Sequence, residues 1–277
     1  MPKNEVKQRG SDRWYPCPKC GNDHPSCTTL LGVIGSKALM GWSAKNGVAK
    51  LKVLASLVEA DAPDTFKTKW APAAEAQWKL TEDTAFWKSG KETGQEAADY
   101  GQLAHSWIEA YLNGKEVTLE SLPGPSRLAV EAFKGLEKAN TLEVIKTEQT
   151  FYNCAMNYAG TADIVCKLNG ELSLGDWKTS NGIFSNYPIQ AWSYALADEM
   201  QHGDRLYTQV FIGRFGKDGA CEVKIFKRND FPGIETARKI MEGCGTIFRF
   251  NQEWDRLFPY VKPTKKEIKD ATPATIQ

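Results

Sequence analysis

Apolar and polar residues alternate along Tyr158–Leu168, and again along Glu171–Lys178, with β-branched residues enriched in the first run. Between them lies Asn169-Gly170, the pair that best tolerates the positive backbone angles of a two-residue hairpin. The pattern predicts two antiparallel strands, with Asp163 on the first and Asp176 and Lys178 on the second. Residues two apart on a strand leave the same face, so Asp176 and Lys178 point one way and Trp177 the other. Elsewhere the apolar period is helical. It runs over about 26–60 (Leu30, Leu31, Ile34, Leu39 and Trp42, then Leu51, Leu54 and Leu57), about 92–113, about 125–139, about 188–201 and about 232–256. Two more strands are expected at about 205–214 and about 221–227, joined through the turn Gly216-Lys-Asp-Gly219.

Strands alternating with helices predict one α/β domain over 14–260, with a helical N-terminal region (14–91), a core (92–230) and a C-terminal helix (231–260). Residues 1–13 and the Lys-, Thr- and Pro-rich stretch 261–277 lack apolar periodicity and are expected to be flexible.

Two carboxylates converging with a lysine define a chemistry. Asp163 and Asp176 can bind a hard divalent cation, Mg²⁺ or Mn²⁺, which lowers the pKa of a bound water and neutralises phosphate charge. The Lys178 ammonium can orient the attacking water or stabilise charge on phosphorus. Phosphodiester hydrolysis fits all three. An isolated Asp-x-Lys on a strand is ordinarily a solvated pair, so the surrounding motifs matter.

Asp163, Asp176 and Lys178, followed by Gln190-x-x-x-Tyr194 on the next helix, resemble the catalytic motif of the PD-(D/E)xK nuclease superfamily. The Gln-x-x-x-Tyr element resembles its RecB-like branch, which includes stand-alone phage exonucleases and mitochondrial genome maintenance exonucleases. Gly101-Gln-Leu-Ala-His105 is similar to that branch's Gly-Thr-x-x-His helix, with Gln102 in place of the threonine. Glu148, in Lys146-Thr-Glu148-Gln-Thr-Phe, matches the acidic residue of the first core strand. His24-Pro-Ser-Cys-Thr-Thr-Leu-Leu31 resembles the Pro-Ser-Val-Thr-Thr-Ile-Leu opening of the phage members.

The likeness runs from about residue 24 to about residue 227. It implies a restriction-endonuclease-like core, a central mixed sheet flanked by helices, with helical N-terminal additions. It also implies one or two Mg²⁺ or Mn²⁺ ions held by His105, Asp163, Asp176 and the Trp177 carbonyl, with Lys178 as the catalytic lysine. Glu148 would share the metal or support it, and Gln190 and Tyr194 would contact the site or DNA. The implied activity is DNA hydrolysis at ends, in replication, recombination or repair, with a recombination or replication protein as a possible partner. The alternative is a non-catalytic DNA-binding or assembly protein on the same fold, a reading that retention of both acids and the lysine disfavours.

Composition sets outer limits. The chain has 277 residues and a formal net charge of only +1, so a nucleic-acid surface must come from local clusters: Lys45, Lys50 and Lys52; Lys88 and Lys91; Lys224, Lys227 and Arg228. Trp70, Trp78 and Trp87 are candidate stacking platforms for a single strand, although most tryptophans pack. No apolar run is long enough to span a membrane, no signal-peptide core opens the chain, and no nucleotide-binding fingerprint is present. These features, with seven cysteines, an odd number, predict an intracellular protein in a reducing compartment. Cys17-Pro-Lys-Cys20-Gly21 has the form of half a zinc knuckle. The remaining ligands stay open among nearby His24 and Cys27 and distant Cys154, Cys166, Cys221 and Cys244, and free buried thiols are the alternative.

Overall fold

The structure is a computed structural model. It describes residues 6–10, 12–34, 85–203, 206–216 and 219–258, and the side chains of 85–97 are outside that description. The expected helical segment beyond 34, Trp70, Trp78, the Lys45 cluster, the side chains of Trp87, Lys88 and Lys91, and the tail therefore lie outside the described residues.

In chain order the elements are β1 (Lys7–Arg9), β2 (Asp12–Pro16), β3 (Asp23–Pro25), α1 (Cys27–Gly32), α2 (Ala85–Leu112), α3 (Gly124–Ala139), β4 (Leu142–Asn153), β5 (Tyr158–Leu168), β6 (Glu171–Lys178), α4 (Asn186–His202), β7 (Gln209–Phe215), β8 (Cys221–Lys227) and α5 (Ile234–Leu257). The fold is mixed α/β. Its main sheet has the order β4-β5-β6-β7-β8, antiparallel throughout except for the parallel β6–β7 pair, whose crossover is α4. Asn169 and Gly170 both take positive φ, +53° and +84°, as a two-residue hairpin with right-handed strand twist requires.

Each face of the sheet carries its own core. Leu174, Val210 and Ile212 pack with Trp192 and Ala195 of α4, Met241 and Phe248 of α5, and Leu30 and Leu31 of α1. On the opposite face Ile164, Cys166, Trp177, Phe211 and Phe215 meet Ala104, Trp107 and Ile108 of α2 and Val130, Phe133 and Leu136 of α3. Helix α4 is buried on every side from Pro188 to Asp198, because it lies between the sheet and α5. A helix so placed needs no polar face. Among the described residues no helix is long and apolar enough to cross a membrane.

The N-terminal region departs from expectation. Residues within the stretch read as flexible form strands β1 and β2, and with β3 they make a small antiparallel sheet. The region expected to be helical, 14–91, opens instead with the end of β2, a turn over 17–22 and β3. Prolines at 16, 18 and 25 disfavour helix there, and Gly21, at φ +74°, reverses the chain after Cys20. Helix begins only at Cys27, where the Ser26 side chain accepts a hydrogen bond from the Thr29 N–H. Strand β7 starts at Gln209, later than its apolar pattern suggested. Before it the Tyr207 hydroxyl donates to Asp198 and the Thr208 hydroxyl to Glu171, turning both residues toward side-chain partners.

Candidate functional site

Strands β5 and β6 pair as far as Ile164 opposite Gly175. One step further the register sets Asp163 against Asp176, and there the ladder ends. Asp163 uses this divergence: its Oδ2 accepts the Trp177 N–H at 2.5 Å, replacing the ladder bond that a regular strand would have made. Its Oδ1 lies 3.5 Å from Nδ1 of His105, which reaches in from α2. Asp176 is almost wholly buried, and its Oδ2 is ion-paired to Lys178 Nζ.

A second chain of contacts places the lysine. Lys178 Nζ donates to Gln190 Oε1 at 3.4 Å and lies 4.9 Å above the Tyr187 ring, while Gln190 Nε2 donates to the Tyr194 hydroxyl at 2.7 Å. Gln190 and Tyr194 are one turn apart and both buried, so the Gln-x-x-x-Tyr spacing is what lets the tyrosine hold the glutamine that meets the lysine. Two glycines make the close approaches possible. A Cβ on Gly160 would fall 2.3 Å from the Tyr194 ring, and one on Gly101 would fall 2.6 Å from Thr179 Oγ1. The first seats α4 against β5, and the second seats the His105 helix against the chain leaving β6.

The charges are strongly interdependent. Burial pushes Asp176 up to about 6, and the Lys178 ammonium only partly offsets it. Burial acts in the same sense on Asp163, but His105, Lys178 and the Trp177 N–H outweigh it and hold this carboxyl below its ordinary range. For His105 burial disfavours the cation, yet the neighbouring Asp163 raises its pKa. Lys178 is likewise disfavoured by burial and held charged by Asp176 and Asp163, so its pKa is raised.

The expected site residues fall into three groups. Asp163, Asp176, Lys178 and His105 form one linked cluster with Gln190 and Tyr194 behind it. Trp177 contributes backbone to the cluster, while its ring packs on the other face among Phe133, Phe211 and Phe215. Glu148 lies on β4 where the ladder passes from Thr147–Ile164 to Gln149–Ala162, hence across from Asp163, with a left-handed backbone at φ +48°. Such a conformation costs a non-glycine residue about 1–3 kcal/mol and tends to occur where function demands it.

The basic group at the end of β8 makes contacts within the fold. Arg228 forks onto both oxygens of Glu199, Lys227 donates to Gln209, and Lys224 lies over Phe226. The Arg228 and Lys227 contacts tie the end of β8 to α4 and β7, whereas Lys224 is exposed and meets a ring of its own strand.

The donor chemistry fits a hard divalent cation, since two carboxylates and an imidazole border one locus, although Asp176 Oδ2 is taken up by Lys178. The donors are not, however, gathered tightly. Among the described residues, one group of His, Cys, Asp or Glu brings three or more ligand atoms within 4.8 Å of one another, and it is Cys17, Cys20, His24 and Cys154. At the acidic cluster Asp176 is turned to Lys178 and Asp163 to His105 and the Trp177 N–H.

The cysteine group could hold a metal of its own. The residues that the fold brings to Cys17 and Cys20 are His24 and Cys154. Cys27 is not among them, being buried in the core with its thiol pushed up to about 12 by burial. Cys166 and Cys244 are also buried, and Cys221 lies exposed on β8. Asn157, which touches His24, was not legible from spacing; its φ of +57°, a value asparagine tolerates, is its only local signature.

No family model matches the chain, and no curated protein matches it. Among solved structures, one similar to this chain is a protein from Eubacterium rectale named "putative exonuclease", 13% identical over 62% of this chain and 79% of that one, with a TM-score of 0.39.

Proposed function

We propose that this chain is a metal-dependent deoxyribonuclease of the RecB-like PD-(D/E)xK type, an exonuclease acting on DNA ends and of the stand-alone kind found in phages. The observation that carries the reading is the partly buried Asp163–Asp176–Lys178 cluster at a diverging strand pair, with His105 on one side and the Gln190–Tyr194 pair on the other. A lysine ion-paired to a nearly sealed acid, with a second acid beside it, is costly to maintain, and such perturbed groups concentrate at functional sites.

In this reading Asp163, Asp176 and His105 hold Mg²⁺ or Mn²⁺, with the Trp177 carbonyl beside them. When bound, the ion supplies an acidified water and neutralises phosphate charge. Lys178, held as an ammonium by the two acids, cannot act as a base; it stabilises negative charge developing on the phosphate oxygens. Gln190 positions that ammonium and Tyr194 positions Gln190. Glu148, across the ladder from Asp163, is a further acid for the metal or its water.

The test is digestion of end-labelled single- and double-stranded DNA, linear and circular, with Mg²⁺, Mn²⁺ or EDTA, using Asp176→Ala as the control. The expected result is metal-dependent release of nucleotides from linear DNA, closed circles spared, and no activity in the variant. Cleavage of circles would make the enzyme an endonuclease. DNA binding without cleavage under any metal condition would favour a non-catalytic DNA-binding protein on this fold.

A further inference from the structure

A second cluster lies away from the acidic one, where the small N-terminal sheet meets the turn between β4 and β5. Cys17, Cys20 and His24 come from the end of β2, the following turn and β3, and Cys154 follows β4 directly. The sulfur atoms of Cys17 and Cys154 are 3.6 Å apart, and Cys20 Sγ is 3.2 Å from His24 Nε2. A tetrahedral zinc ion, with bonds of about 2.0–2.3 Å, separates its own ligands by about 3.3–3.8 Å; these two spacings lie near that range, and all four ligand atoms fall within 4.8 Å of one another, close enough for one ion to draw them in. The Cys17–Cys154 spacing does not suit a disulfide, whose sulfurs lie about 2.05 Å apart.

The histidine is oriented for the task. It is buried, and its Nδ1 lies 2.7 Å from the side-chain oxygen of Asn157. An amide oxygen only accepts, so Nδ1 carries the hydrogen and Nε2 presents its lone pair toward the thiols, the arrangement metal-bound histidines usually show. The knuckle is preformed as well. The Gly21 N–H donates to the Cys17 carbonyl, and the Cys17 N–H donates to the Asn22 carbonyl, folding the chain so that both cysteines face one point.

We infer that Cys17, Cys20, His24 and Cys154 form a structural zinc site that latches the N-terminal sheet onto the β4–β5 edge of the main sheet. With four protein ligands the site keeps no open position, which is the mark of a structural and not a catalytic zinc. What it secures is specific. Immediately after His24, Ser26 bridges to Ala159 on β5, and α1 then buries Cys27, Leu30 and Leu31 against Tyr158 and Ala162. Those strand residues lead into Asp163. The latch therefore fixes the segment that underlies the start of the acid-bearing strand, and it does so whether or not the acidic cluster is a nuclease site.

The experiment is elemental analysis of the full chain purified without added metal, alongside Cys154→Ser, Cys221→Ser and Asp176→Ala. We expect about one zinc per chain in the parent, in Cys221→Ser and in Asp176→Ala, with loss in Cys154→Ser. Cobalt exchanged into the parent should show thiolate-to-cobalt charge transfer and the intense visible bands of a tetrahedral site, a readout that does not depend on any variant folding. In hydrogen exchange, chelation should remove protection from 12–33 and 151–160 first. Absence of zinc, zinc retained in Cys154→Ser, cobalt bands without thiolate character, or iron with labile sulfide in place of zinc would each overturn the assignment.

Discussion

Lys178 is a cation in a place that disfavours cations. Burial alone would drive it toward the neutral amine, and chiefly Asp176 and Asp163 hold its proton on. If its work is to stabilise charge on phosphate, Lys178→Ala should cut kcat by about 10²-fold or more, the usual scale for one preorganised electrostatic group. Mn²⁺ affinity by calorimetry should stay near that of the parent; normal turnover in the variant would remove the lysine from the mechanism. Gln190→Ala should cost about 10–100-fold, in kcat and not KM, because the glutamine reaches the substrate only through the lysine. The acids make a pH prediction. Asp176 holds its proton up to about 6, and His105, whose pKa Asp163 raises, must also shed a proton before it can coordinate. Protons and metal therefore compete for the same atoms, and Mn²⁺ affinity should weaken as pH falls through about 6 and recover above it. A flat profile from pH 5 to 8 in a calorimetric series would detach these residues from the metal.

At the scale of elements, the close seat of α4 on β5 depends on Gly160. Gly160→Ala would drive a methyl into the Tyr194 ring, and overpacking of this kind costs about 1–3 kcal/mol. The expected result is a lower melting temperature together with reduced kcat, since the displaced tyrosine releases Gln190; unchanged melting and rate would show that α4 is seated otherwise. The fork from Arg228 to Glu199 fastens the end of β8 to α4, and the same carboxylate accepts the Tyr207 N–H. Glu199 is largely buried, so Arg228→Ala leaves a carboxylate with fewer partners and should destabilise by about 1–3 kcal/mol. The loss should appear in denaturant melts with the unfolding slope unchanged. A loss of DNA affinity without loss of stability would instead return Arg228 to the binding surface expected from its neighbours Lys224 and Lys227.

At the scale of the molecule, two cores share one sheet, and β5, β6 and β7 are buried from both sides. Native-state hydrogen exchange should therefore be slowest in β5, β6, β7 and α4, faster in the exposed strand β1 and fastest toward the end of α5, where Phe250, Trp254 and Phe258 stand in solvent. Equal protection in β1 and β6 would contradict this layering.

Much of the arrangement was legible before any coordinates. Period-two alternation and Asn169-Gly170 located β5 and β6 with their ends, because strand faces and hairpin angles are set by neighbouring residues. The spacing of Asp176, Lys178, Gln190 and Tyr194 likewise placed each pair on one face of its element, since pleat and helical pitch are local. Distance along the chain hid the rest. That β6 and β7 are parallel, that Asp163 replaces a ladder bond where the strands part, and that Arg228 is spent on Glu199 depend on which surfaces meet after the chain has closed. So does the Cys–His group. The sequence determined a half-knuckle at Cys17 and Cys20; only the tertiary structure selected Cys154, 137 positions from Cys17, over the nearer Cys27, because burial of α1 commits Cys27 to the core while the β4–β5 turn brings Cys154 to the edge where the knuckle lies.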